Sequence, residues 1–203
     1  MAQLYEFDQL NNIRSEPIEE YWEDTGLSEE RIERRKEAAY RFFEMMIWYF
    51  MLLELGTSYE DAGPMLADEY MTAMAELGLL DERLATYAPI FAEEINRVTR
   101  EREGEPYFTS EDRARIIAEN EASGDVGWEE LREAIEEGYT MKTWHGVLDK
   151  RERETHVESE GQTVGILDYF NVGAAQLLYP RDETNGAEFP EEVINCRCFC
   201  TFS

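Results

Sequence analysis

Three cysteines and one histidine hold the most reactive side chains of this sequence. Cys196, Cys198 and Cys200 occupy alternate positions near its end, and His156 lies upstream beside Asp149, Arg151 and Arg153. Zinc accepts imidazole nitrogen, thiolate sulfur and carboxylate oxygen together in a tetrahedron, so His156, Cys196 and Cys198 could hold it, with Cys200 or Asp149 as a fourth ligand. Against this, Cys-x-Cys is tighter than the two-residue spacing of zinc knuckles. A second chemistry uses Cys196 as nucleophile, His156 as base and Asp149 to orient the imidazole, in the manner of a hydrolase. No helix N-terminus or Gly-rich oxyanion turn is evident near Cys196. The third reading is structural. One helical turn between Arg153 and His156 would turn both toward Asp149 or Glu121. A polar network of Glu121, Lys142, Trp144, Asp149, Arg151, Arg153 and Asn195 would then fix a unique fold in a domain with little core. The network is taken as the first reading, with the metal and the enzyme as alternatives.

These residues must be positioned by the elements around them. Ser28 stands where a helix N-cap belongs, before the acidic pair Glu29–Glu30 and a long periodic run to about Leu55. Ala39, Phe42, Phe43, Met46, Ile47, Phe50 and Leu53 make its apolar stripe, which broadens toward the C-terminal end. A second helix is expected over Tyr59 to Leu77 and a third over Leu80 to Glu101, kinked or divided at Pro89. Thr109 or Ser110 caps a fourth helix from Glu111 to about Ser123. Gly124 and Gly127 are expected to interrupt before a short fifth helix, Glu129 to Glu137. Beyond Gly138 the character changes, with strand-like runs at Thr140 to Val147 and Val193 to Phe202. In the first run His145 would face away from Trp144. In the second, alternation would place the three cysteines on one face. Asn195 and Gly161 suit turns. The expected class is α+β: a helical N-terminal region, residues 1–104, then a small mixed domain, residues 105–203, with a few short strands.

Charge narrows the partners. With 46 acidic residues against 19 basic, the net charge is -27, a field that repels phosphate and disfavours tight nucleic-acid binding. The densest basic group, Arg31, Arg34, Arg35 and Lys36, is interleaved with glutamates and reads as a solvated helix face with i to i+4 pairs. Clustered rather than dispersed cysteines argue against a disulfide framework and for a reducing, cytoplasmic origin. Met1 to Asn12 has no apolar segment of a signal peptide. Met45 to Leu53 is strongly apolar but far short of the ~20 residues a bilayer needs. That stretch, with Trp48, Tyr49 and Phe50, reads as buried helix or as an interface with another protein.

From Arg115 onward an ordered series appears: Ile117-Ala-Glu119-Asn120-Glu121, Lys142-Thr-Trp144, Asp149-Lys-Arg151-Glu-Arg153-Glu-Thr-His156, Gly161–Gln162, Phe170, Tyr179–Pro180 and Glu192-Val-Ile-Asn195-Cys196-Arg197-Cys198. It resembles the C-terminal domain of the phage Mu F-like minor head proteins, the head morphogenesis family, over about residues 110 to 200. Where that family shows Arg-Thr-Glu this chain has Glu119–Asn120–Glu121, so only Glu121 carries over. The resemblance implies a structural minor capsid protein, not an enzyme, that binds portal or major capsid subunits during head assembly and aids DNA packaging or ejection. It also implies residence in the virion, at the portal vertex or capsid interior, after assembly in the host cytoplasm. Partners would then be portal and capsid proteins, with oligomerisation in the head and no membrane. A zinc-binding interaction module, or an enzyme built on His156, Asp149 and Cys196, is the alternative.

Overall fold

The computed structural model describes residues 18–203. The expectation about a signal peptide in Met1 to Asn12 lies outside the described residues. The architecture is α+β, with four long helices followed by short antiparallel strands.

Helix α1, Glu29–Glu54, starts at Ser28, whose hydroxyl accepts from the Arg31 amide. Serines 58 and 110 do the same for α2, Tyr59–Glu76, and α4, Glu111–Glu136, and Asp81 caps α3, Glu82–Glu101. Each cap satisfies an amide left unpaired in the first turn. Helix α1 packs on α4, and α2 packs on α3 and α1. Tyr70 ties the four together. Its ring stacks between Phe42 of α1 at 5.4 Å and Phe91 of α3 at 4.5 Å. Its hydroxyl lies 2.7 Å from Asp125 and 3.0 Å from Glu121, both on α4. Aromatic pairs of this kind add about 0.5–1.5 kcal/mol each beyond the area they bury.

The sheet part is small. Strands β1, Met141–His145, β2, Thr163–Gly165, and β5, Phe199–Phe202, form an antiparallel sheet in the order β2-β1-β5. Trp144 is opposite Cys200 and His145 opposite Phe199. Strands β3, Phe170–Val172, and β4, Ala175–Leu177, make a separate hairpin. Its turn places Gly173, φ +55°, where the two-residue loop calls for glycine. Two short helices flank these strands, α5, Glu154–Ser159, and α6, Pro190–Val193.

Several expectations need correction. Gly124 and Gly127 do not break α4. They form a small face on which the 179–181 segment lies, a Cβ at Gly127 standing 3.4 Å from the Tyr179 ring. Pro89 does not divide α3, which runs through it as one helix. The last strand is only Phe199–Phe202, because α6 occupies Pro190–Val193 and Asn195 turns the chain with φ +54°. The basic group of α1 is not a solvated face. Arg31 and Arg35 grip Glu130 of α4, and Arg34 reaches Glu129 and Glu133. Met45, Met46, Tyr49 and Phe50 are buried within the chain, so most of the apolar run of α1 is internal core. Among the described residues no helix is long and apolar enough to cross a membrane.

Candidate functional site

The β1–α5 connection, α5 itself and the segment between α6 and β5 converge on His156. Its imidazole is buried and meets the Trp144 ring edge-on at 5.7 Å. Nδ1 faces two sulfurs, Cys198 Sγ at 3.3 Å and Cys196 Sγ at 3.6 Å. Nε2 lies 3.2 Å from Glu192 Oε2, and that oxygen also accepts from the Thr155 hydroxyl at 2.8 Å. On the far side of Cys198, Glu152 Oε1 is 3.2 Å from the sulfur. The Glu152 carboxylate is held by the backbone amides of Val147, at 3.1 Å, and Leu148. The loop closes so tightly on it that a Cβ on Gly146 would stand 2.1 Å from Oε1. Val147, Glu152, Arg153, His156, Cys196 and Cys198 are among the residues that line a cavity of about 20 Å³ here, room for one water or one ion.

Electrostatics polarise the cluster. Burial would raise the Cys196 thiol, but the hydrogen bond from Cys198 and the charge of His156 and Arg153 hold it well below the usual range. Cys198 goes the other way, pushed well up by burial, by the neighbouring Cys196 thiolate and by Glu152. Burial opposes charge on His156, yet the Cys196 thiolate and Glu192 leave its imidazole raised.

The remaining residues singled out in the sequence do not form one network. Asp149 accepts from the Arg151 amide at 2.8 Å and pairs with the Arg197 guanidinium. Arg153 caps the Ile194 carbonyl. Neither Arg153 nor His156 meets Asp149 or Glu121. The Asp149–His156–Cys196 relay is therefore not assembled; the carboxylate beside the imidazole is Glu192, close to Nε2 but not aligned for a hydrogen bond. Lys142 is buried, donates to the Ile166 carbonyl at 2.8 Å and lies over Phe170; burial pushes its ammonium down to about 8. Trp144 is wholly buried between His156 and Phe170. Glu121 belongs to the Tyr70 cluster on the helical side. Asn195 donates its amide to Asn120 Oδ1 at 2.9 Å, an oxygen that also accepts from the buried Arg181. Cys200, on β5, lies outside the His156–Cys196–Cys198 group, because the three cysteines do not share one strand. His145 faces away from Trp144, stacking on Phe199 and bonding Glu160 and Thr201.

Glu152, Glu192 and Asn120 are the residues to which the sequence alone assigns no role at the site. Glu152 precedes His156 by four positions and Glu192 precedes Cys196 by four, which is the one signal that could have marked them among so many acidic residues.

A family model described as Phage Mu protein F like protein matches residues 66–201, two thirds of the chain. The chain belongs to the phage Mu protein F like family. No curated protein and no solved structure gives a match. Phage Mu F-like proteins are bacteriophage head morphogenesis proteins. The matched span begins at Leu66 within α2, so it takes in the rest of that helix and α3 as well as the region of recognisable motifs, and it contains every residue of the His156 cluster.

Proposed function

We propose that this protein is a minor component of the phage head that binds portal or capsid subunits during assembly, without turnover, and in that position aids DNA packaging or ejection. The observation that carries the reading is the family match across α2 to β5. Its charge supports protein partners, since a net of -27 opposes tight contact with packaged genome. Most of the apolar stretch of α1 is internal, so the docking surface is sought elsewhere. The C-terminal half exposes Tyr139, Met141, Leu167 and Tyr169, and the Ile166 amide bonding the Thr140 carbonyl places the 166–169 turn beside the start of β1. Apolar side chains on an otherwise acidic surface are what a protein partner would cover.

Co-expression of the tagged chain with the portal and major capsid proteins of its own phage tests this. The expected result is co-purification with one of them, reduced at least tenfold by the pair Leu167→Asp and Tyr169→Asp in a chain that still folds. Recovery of neither subunit, with both expressed and soluble, would refute the proposal.

A further inference from the structure

We infer that His156, Cys196 and Cys198 supply three ligands of a tetrahedral site for one structural zinc ion, and that the neighbouring Glu152 carboxylate supplies the fourth. The spacing of the donor atoms carries this. Ligands at zinc's usual bond lengths, ~2.3 Å to sulfur and ~2.0–2.2 Å to nitrogen or oxygen, stand roughly 3.6 Å from one another around a tetrahedron. Nδ1 of His156 is 3.6 Å from Cys196 Sγ and 3.3 Å from Cys198 Sγ, and Glu152 Oε1 is 3.2 Å from Cys198 Sγ. The histidine and both sulfurs lie within 4.8 Å of one another; Glu152 Oε1 stands outside that group, against Cys198 Sγ alone, and would close on the ion by a side-chain shift.

A metal ion accounts for the geometry with fewer shared contacts than hydrogen bonding does. A neutral imidazole nitrogen offers one lone pair or one hydrogen, yet Nδ1 faces two sulfurs. A cation between them satisfies all of the donors at once. The surroundings also have the form of a metal site. Ligating histidines commonly give their second nitrogen to a carboxylate, which fixes the ring, and here Nε2 faces Glu192, itself held by Thr155. The amides of Val147 and Leu148 fix Glu152 in the same way. The cavity of about 20 Å³ suits an ion and is too small for an organic ligand.

Two thiolates, an imidazole and a carboxylate favour zinc over magnesium or calcium, which prefer all-oxygen shells. Ligation needs both sulfurs as thiolates and Nδ1 of His156 without its proton, so the protons shared among the three groups leave to solvent as the metal binds. The complex then carries one net negative charge, which Arg153 and Arg197, lining the same cavity, offset. With all four positions filled by protein, the ion would clamp the segment after α6 to the α5 region and leave no open site for substrate.

The full chain, purified under reducing conditions without chelator, should contain about one zinc per molecule by elemental analysis. Cobalt(II) added to the metal-free chain should give a thiolate-to-cobalt charge-transfer band and the intense visible bands of tetrahedral cobalt. Glu192→Gln should weaken zinc binding about 10- to 100-fold, and His145→Ala should leave it unchanged. Glu152→Gln should shift the cobalt bands; an unaltered spectrum would overturn Glu152 as the fourth ligand. Cys198→Ser should abolish stoichiometric zinc. Where that variant fails to fold, the wild-type metal content and cobalt spectrum decide alone. Wild-type protein with no bound zinc and no tetrahedral cobalt spectrum would overturn the site.

Discussion

Arg35 of α1 and Glu130 of α4 face each other through two parallel hydrogen bonds, of 2.6 and 2.7 Å, across 95 residues of sequence. Arg31 adds two more to the same carboxylate, at 2.8 and 2.6 Å. Arg35 is 4% exposed, so the pair is shielded from solvent and removing one partner strands a charge. Glu130→Ala should therefore cost about 3–5 kcal/mol of stability, read as a lower urea midpoint. Replacing both partners by apolar residues, Arg35→Met with Glu130→Leu, should recover most of that loss. A double variant no more stable than Glu130→Ala would contradict the pairing.

The same carboxylate sets part of the acid sensitivity. Burial alone would raise Glu130, but Arg35 and Arg31 bring it down to about 2 from an ordinary 4.5. A group depressed by folding adds stability above its unfolded value and loses it as the pH falls through the folded one. The contribution is thus complete above pH 4.5 and disappears toward pH 2. Denaturation midpoints measured at intervals between pH 6 and pH 2.5 should fall less steeply in Glu130→Gln than in the wild type.

Asp125 should act in the opposite direction. Tyr70 has one hydroxyl hydrogen yet contacts both Glu121 and Asp125, which is satisfied if a protonated Asp125 donates back to the tyrosine oxygen. Burial raises Asp125 to about 7, helped by Glu183 and opposed by the Tyr70 hydrogen bond, Arg83 and Arg181. A raised carboxyl stabilises the fold below its ordinary value of 3.8, and that stability is lost as the pH rises through about 7. Asp125→Asn should flatten the stability curve between these limits. At pH 8 it should be the more stable chain by on the order of 3 kcal/mol. An unchanged slope in this window would remove Asp125 as its source.

What could be read in the sequence was local. Ser28 and Ser110 marked the starts of α1 and α4, and the stripe through Phe42, Met46 and Phe50 marked a buried helix face. Periodicity does not say which element covers that face. The partners of Arg31, Arg34 and Arg35 lie almost a hundred positions away, and nothing near those arginines points to them. Gly124 and Gly127 looked like breaks because their local signal is a turn signal, whereas tertiary packing against Tyr179 favours a continuous helix. His156, Cys196 and Cys198 stood out because histidine and cysteine are rare here. Glu152 and Glu192 are chemically as specific to the site, but among 46 acidic residues their type carries almost no information.

Gly146 offers a test of the His156 cluster that leaves every candidate ligand in place. A Cβ there would lie 2.1 Å from Glu152 Oε1 and 2.8 Å from its Cδ. The carboxylate, held by Val147 and Leu148, would have to swing away from Cys198. Gly146→Ala should keep the fold, with a loss of about 1 kcal/mol or less, while weakening zinc binding at least tenfold in a chelator competition. Wild-type affinity in this variant would show that Glu152 does not need the position it occupies.

Asn195 connects the two halves of the molecule. It turns the chain between α6 and Cys196 with φ +54°, a left-handed conformation that costs most L residues ~1–2 kcal/mol and glycine little. Its amide donates to Asn120 Oδ1, which also takes a bond from the wholly buried Arg181. Backbone conformation and side-chain chemistry can be separated here by two substitutions. Asn195→Gly should remain within about 1 kcal/mol of the wild type, because it keeps both the turn and the amide donor. Asn195→Val should cost about 2 kcal/mol or more, since a β-branched side chain strains the same turn. Asn120→Ala should cost a further 1–3 kcal/mol by a different route, leaving the Asn195 amide and one Arg181 hydrogen bond unmet, an approximate range for unsatisfied buried donors. Thermal melts of the three variants separate the causes: equal losses in Asn195→Gly and Asn195→Val would show that the turn, with its left-handed backbone, is not what Asn195 supplies.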